Sequence, residues 1–127
     1  MTNIILDSSA LLALIANEKG ADTVAHYISN AKMSTVNISE SIAALINKGA
    51  TEHEAETIVD SLLHDRIPFS DAHSKIAAKL VTETKKLGLS LGDRACLSLA
   101  ISEKLPVLTA DKIWSNLNLS VKVILIR

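Results

Sequence analysis

The sequence is poor in aromatic residues, cysteine and long apolar runs. Tyr27, Phe69 and Trp114 are its only aromatic residues. Proteins that read single-stranded RNA on RRM or OB platforms stack bases on sets of aromatic side chains, so that class is not expected here. Cys96 is the only cysteine. It cannot form an internal disulfide, which is typical of proteins of a reducing compartment and predicts a cytoplasmic location.

Other absences limit the architecture. No apolar run approaches the roughly 20 residues of a membrane span. No basic segment followed by a long apolar core opens the chain, so no signal peptide is predicted. The net charge of −1 argues against a general basic nucleic-acid binder. The length of 127 residues and the hydrophobic fraction of 48% instead predict one globular domain over residues 1–127.

Short aliphatic runs alternate with helical patterns along the chain. The run Ile4–Leu6 is β-branched and short, as in a buried strand, and an Ala/Leu-rich helical segment follows it. Further strands are predicted at 33–36, 66–69, 106–109 and 121–126, and Pro68 is typical of an edge strand. This alternation predicts a three-layer α/β/α fold with a mostly parallel five-stranded sheet in the order 3-2-1-4-5.

Polar residues at predicted helix starts indicate N-caps. Ser8 or Ser9 is a cap candidate for the first helix, and Ser90 precedes a helix over about 92–103. The spacing of a capping box, in which the first and fourth residues bond each other's backbone, occurs at Asn37–Glu40 and at Thr51–Glu54.

Four acidic residues fall at strand carboxyl ends or at helix starts: Asp7, Glu40, Asp93 and Asp111. In a doubly wound sheet these positions converge on one edge, and Asp7 and Asp111 flank the point where the strand order reverses. Carboxylates so gathered raise one another's pKa unless a cation compensates them. Mg²⁺ or Mn²⁺ prefers oxygen ligands and promotes phosphodiester hydrolysis, singly or as a pair about 4 Å apart. The alternative is that each acid only caps a helix.

Other polar residues indicate a functional role less clearly. The four histidines show no metal-ligand spacing: His26, His53, His64 and His73. Ser8 and Thr109 are candidates for contact with a carboxylate or a metal-bound water. The cations Lys85, Lys86 and Arg94 could meet phosphate, although a solvated face is the usual role of such residues.

Several segments together resemble the PIN-domain family, and most of all the small VapC toxins of bacterial toxin–antitoxin pairs. They are LDSSALLALI at 6–15, Ser39–Glu40, LSLGDRACLSLA at 89–100 and LTADKIW at 108–114. The resemblance covers essentially the whole chain, and the 89–100 segment is its most specific part.

The resemblance implies an endoribonuclease that depends on Mg²⁺ or Mn²⁺, with Asp7, Glu40, Asp93 and Asp111 as catalytic metal ligands. Because the last acid of the family varies, Asp111 is expected to matter less than the others. The resemblance also implies a homodimer, with apolar residues of about 42–63 as its expected surface, and a cognate antitoxin. Two other functions stay open: a housekeeping PIN nuclease of RNA processing, and a non-catalytic interaction module.

Overall fold

Five parallel strands form the centre of the molecule. The structure, a computed structural model, describes residues 3–127, so the first two residues of the predicted domain lie outside it. The sheet order is β3-β2-β1-β4-β5, and all four neighbouring pairs are parallel. The strands are β1 Ile4–Leu6, β2 Ala31–Ser34, β3 Asp65–Ile67, β4 Val107–Thr109 and β5 Val123–Leu125. The predicted strand order and the edge position of the strand before Pro68 are therefore confirmed.

Helices connect successive strands. They are α1 Ser8–Ile15, α2 Ala21–Tyr27, α3 Thr35–Asn47, α4 Glu52–Leu62, α5 Asp71–Lys79, α6 Val81–Thr84 and α7 Leu91–Glu103. Short 3₁₀ turns occur at Ile28–Asn30, Lys85–Leu87 and Lys112–Asn116. Between residues 3 and 127, no helix has both the length and the apolar character needed to cross a membrane.

The sheet has one apolar core on each face. Ile4 and Leu6 pack with buried residues of α1 to α4, whereas Ile5 between them packs with α7 and Trp114. Successive strand side chains point to opposite faces, so a strand three residues long contributes to both cores. Burial of one such large aliphatic side chain stabilises the fold by about 1.5–3 kcal/mol. Helices therefore cover both faces, which confirms the three-layer α/β/α prediction.

Two predicted helix starts are wrong. The second strand ends at Ser34, which accepts a hydrogen bond from the Val36 amide and so caps α3. Asn37 and Glu40 consequently lie inside α3, and they do not form the predicted capping box. Likewise α1 already begins at Ser8, so neither predicted serine caps it. The Thr51–Glu54 capping box is confirmed.

The strand order places the segments that follow β1 and β4 side by side. From β1 the chain proceeds to β2 on one side, while β4 pairs with β1 on the other side and leads outward to β5. Folds of this kind place their ligands outside the carboxyl ends of the strands where the order reverses, which here are β1 and β4. The segment after β1 begins with Asp7, and the segment after β4 contains Asp111.

Candidate active site

Asp7 directly follows β1 and is almost completely buried, with 3% of its surface exposed. It occupies the N-cap position of α1, but its side chain accepts no capping hydrogen bond. Its Oδ2 atom instead accepts hydrogen bonds from Ser9 Oγ at 2.7 Å and from Thr109 Oγ1 at 2.8 Å. The alternative that Asp7 only caps a helix is therefore wrong, and its carboxylate is held between β1, α1 and β4.

Burial raises the pKa of Asp7 from 3.8 to about 6. Its hydrogen bonds to Ser9 and Thr109 lower the pKa, but less than burial raises it, and the negative charges of Asp93 and Glu40 raise it further. Of the other three candidate acids, only these two act on Asp7 in this way. Burial, and to a smaller extent the same three carboxylates, raise the pKa of the Cys96 thiol. The fold thus brings Asp7, Glu40 and Asp93 into one electrostatic environment, where Cys96 stays a neutral thiol.

Glu40 lies in the second turn of α3 and points toward the starts of α1 and α7. Its Oε1 atom accepts hydrogen bonds from Asn37 Nδ2 at 2.8 Å and from Ser8 Oγ at 3.3 Å. Asn37 Nδ2 also donates to the carbonyl oxygen of Gly92 in the first turn of α7, at 3.0 Å. Residues of three helices therefore determine where this carboxylate lies.

Asp93 and Asp111 are each held by a backbone amide close to them in sequence. Asp93 Oδ2 accepts from the Ser90 N–H at 2.9 Å, as part of a capping box that begins α7. Asp111 Oδ1 accepts from the Ile113 N–H at 3.0 Å, at the start of the 3₁₀ turn. Thr109 Oγ1, which binds Asp7, also accepts from the Asp111 N–H at 3.1 Å. Asp111 is thus linked to Asp7 through one hydroxyl.

The four carboxylates share one pattern of hydrogen bonding. Each has one oxygen that accepts hydrogen bonds and a second oxygen that receives no donor from residues 3–127. In that same part of the chain, no Lys, Arg or His side chain forms an ion pair with any of them. Oriented oxygens with uncompensated negative charge are the ligands that a hard divalent cation prefers. The donor set therefore fits Mg²⁺ or Mn²⁺.

Asp7, Glu40, Asp93 and Asp111 do not form a compact cluster of metal ligands. Among the described residues, no three His, Cys, Asp or Glu side chains already stand close enough to hold a metal ion.

Sequence reasoning assigned Ser9 and Asn37 to helix caps and missed their contacts with the candidate acids. Ser9 contacts both Asp7 and Thr109, and its Oγ atom also accepts from the Ala110 amide at 3.0 Å. The contact between Asn37 and Glu40 is compatible with their spacing, because residues three apart on a helix lie on one face. The same spacing also suits a capping box. The suggested contacts of Ser8 and Thr109 with carboxylates are both present.

Comparison with known proteins adds the family. A family model of the PIN domain matches residues 4–118. No curated protein matches the chain in sequence.

Chains of similar fold occur in a toxin–antitoxin complex from Klebsiella pneumoniae, with 17% identity, 98% of each chain covered and a TM-score of 0.78. They also occur in DNA-bound VapBC from Salmonella typhimurium, with 14% identity, 100% of each chain covered and a TM-score of 0.75. VapBC-5 from Mycobacterium tuberculosis gives 20% identity, 98% and 99% coverage and a TM-score of 0.68. At these identities the likeness concerns the fold, whereas the family match extends over most of the sequence. The chain belongs to the PIN-domain family.

Proposed function

We propose that this chain is a Mg²⁺- or Mn²⁺-dependent endoribonuclease and the toxin of a VapBC-like type II toxin–antitoxin pair. Membership of the PIN-domain family, whose members are generally nucleases, supports the activity. The observation that carries the proposal is the set of four carboxylates, each with one oxygen held and one oxygen free, without a cation from the protein.

In this proposal Asp7, Glu40 and Asp93 hold the cation, and Asp111 completes the site or holds a second ion. When bound, the cation supplies charge neutralisation on the phosphodiester and activates water for attack on phosphorus. The protein contributes orientation. Thr109 and Ser9 both donate to the Oδ2 atom of Asp7, so its Oδ1 atom is the one available to a ligand.

Asp7 also couples cation binding to pH. With a pKa of about 6, its carboxyl group holds a proton in mildly acidic solution and must release it before it can bind a cation. Below about pH 6, burial without a positive partner therefore keeps the free protein from carrying the full charge of the site. The proposal places the compensating charge in the cation.

RNA is selected, in this proposal, through its backbone and shape. Of the three aromatic side chains, Trp114 is completely buried in the core and cannot stack on a base. Contacts to phosphate and sugar orient a nucleic acid without reading its sequence. A structured RNA is therefore the substrate class that we propose.

A cognate antitoxin and a second copy of the chain are the proposed partners. Leu91 and Ile113 are large apolar side chains with 54% and 45% of their surface exposed. Each lies two residues from a candidate acid, Asp93 or Asp111. Exposed apolar side chains are typical of surfaces that another chain covers, so a proposed antitoxin that binds here would also block the acids. For the homodimer, Ile46 on α3 is exposed within the expected 42–63 surface.

The test is cleavage of structured cellular RNAs by the purified chain with Mg²⁺, Mn²⁺ or EDTA, beside Asp93→Asn. An asparagine at 93 keeps an oxygen for the Ser90 amide, so the variant is expected to fold and to lose cleavage. Cleavage that persists in EDTA, or in folded Asp93→Asn, would contradict the proposed chemistry. Expression in cells separates the toxin from the housekeeping nuclease, because only a free toxin arrests growth. If the protein neither cleaves RNA nor gains thermal stability from Mn²⁺, the interaction module is the better description.

A further inference from the structure

Gly92, the second residue of α7, lies against the Glu40 carboxylate. A Cβ atom built on Gly92 would overlap the carboxylate carbon and oxygens of Glu40. The backbone conformation does not require a glycine at position 92. Positive φ angles, which favour glycine, occur at Gly20, Gly49 and Gly88 but not at Gly92. The missing side chain at position 92 is therefore what lets Glu40 approach the first turn of α7.

Asn37 holds the same carboxylate from the other side. It is completely buried, and its Nδ2 atom donates to Glu40 Oε1 and to the Gly92 carbonyl oxygen. Both partners are acceptors, so this orientation of the amide is the only one that satisfies them. Asn37 Oδ1 is then left buried without a hydrogen-bond partner among the described residues.

A buried acceptor without a partner lowers stability. An apolar side chain at position 37 would avoid that loss but would also remove both hydrogen bonds of Asn37 Nδ2. What the amide provides is a bridge, because one nitrogen joins the carboxylate on α3 to the backbone of α7 next to Asp93.

We propose that Asn37 and Gly92 are positioning residues for divalent-cation binding: together they hold the Glu40 carboxylate against the first turn of α7, which also carries Asp93. The inference rests on the proposed function, because it takes Glu40 and Asp93 as ligands of one cation. Gly92 provides the space and Asn37 the hydrogen bond. Neither residue touches the cation.

The test measures Mn²⁺ affinity by titration calorimetry in a double-mutant cycle of Gly92→Ala and Glu40→Ala. Because the overlapping group is the end of a flexible side chain, alanine at 92 is expected to displace Glu40 while α7 stays folded. Substitution of residues that orient metal ligands typically weakens metal affinity about 10–100-fold, and we expect a loss in that range for Gly92→Ala. In the Glu40→Ala background, Gly92→Ala is expected to have no further effect.

Asn37→Ala gives a second route to the same result, because it removes the hydrogen bond without adding volume. The matched control is Ser41→Ala. Ser41 is equally buried in α3, and its Oγ atom donates to the Asn37 carbonyl oxygen and not to the Glu40 carboxylate. We expect Asn37→Ala to weaken Mn²⁺ binding and Ser41→Ala to leave it unchanged. Thermal unfolding without metal confirms that each variant is folded.

The outcomes separate this inference from the proposed function. If Glu40→Ala loses Mn²⁺ affinity but folded Gly92→Ala binds as the wild type does, the positioning role is wrong and the metal site stands. Effects of Gly92→Ala and Glu40→Ala that simply add would also overturn it, because Gly92 would then act elsewhere. If the wild type binds no Mn²⁺, or if both Asp7→Asn and Glu40→Ala bind it normally, the proposed metal site fails and this inference fails with it.

Discussion

Helices α4 and α7 begin with the same hydrogen bonds but in different surroundings. At α4, the Thr51 N–H donates to Glu54 at 2.8 Å and the Glu54 N–H donates back to Thr51 at 3.1 Å. At α7 the corresponding distances between Ser90 and Asp93 are 2.9 and 3.2 Å. Glu54 is exposed to solvent, whereas the charge of Asp93 acts on buried Asp7. A capping box is therefore a local structure, and packing alone decides whether its acid belongs to a site.

The largest expected difference between the two helix starts is catalytic. Asp93→Asn should lower RNA cleavage by at least about a hundredfold, since loss of several kcal/mol of charge stabilisation corresponds to about two or more powers of ten in rate. Glu54→Gln makes the matching change at α4 and should leave cleavage unchanged. Initial rates with saturating Mn²⁺ measure both. An equal loss of cleavage in Asp93→Asn and Glu54→Gln would contradict the assignment of Asp93 to the active site and of Glu54 to a helix cap alone.

The second expected difference is in the pH dependence of stability, between Asp7, on which Asp93 acts, and Glu54 of α4. Folding raises the pKa of Asp7 from 3.8 to about 6, so between these values the folded chain holds a proton that the unfolded chain has lost. Stability therefore falls as pH rises through this window and then levels off. The pKa difference corresponds to about 3 kcal/mol of unfolding free energy. Asp7→Asn should remove this fall, and Mn²⁺ should offset it above pH 6 in the wild type.

Glu54 is the control for that measurement because its shift has the opposite sign. Hydrogen bonds from the Thr51 amide and the Thr51 hydroxyl lower the pKa of Glu54. The stability that Glu54 contributes is therefore present above its unfolded pKa and is lost as pH falls. Urea unfolding across pH 4 to 7 should show a reduced fall in stability for Asp7→Asn and no such reduction for Glu54→Gln. A wild-type curve that Asp7→Asn does not change would contradict the assigned pKa.

The smallest expected effect is one that the two helix starts share. Thr51→Ala and Ser90→Ala each remove a side-chain cap, which typically costs about 1 kcal/mol of stability. Neither should change Mn²⁺ affinity, because the Ser90 backbone N–H that orients Asp93 remains in the alanine variant. Urea unfolding and Mn²⁺ titration of the same samples test this. A clear loss of Mn²⁺ affinity in Ser90→Ala alone would show that the hydroxyl serves the site as well as the helix.

Where local pattern and packing agree, the sequence predicts the structure well. Thr51 and Ser90 each precede a helix with no competing cap nearby, and both caps are found as predicted. Asn37 and Glu40 show the opposite case. Their spacing of three suits a capping box as well as a pair on one helix face, and Ser34 begins the helix first. Local spacing could not choose between the two structures, since both satisfy it.

The sequence by itself determined the alternation of strands and helices, the strand order and the placement of four acids at element ends. The alternation and the acid positions depend on periodicity and on hydrogen bonds between residues three or four positions apart, and the strand order follows the usual arrangement of doubly wound α/β folds. Only the tertiary structure decided that Asp7 is buried against Thr109, 102 positions away, and that Glu40 fits against Gly92. Desolvation and charge repulsion depend on distances in space, so the raised pKa of Asp7 arises only when the sheet and its helices have packed.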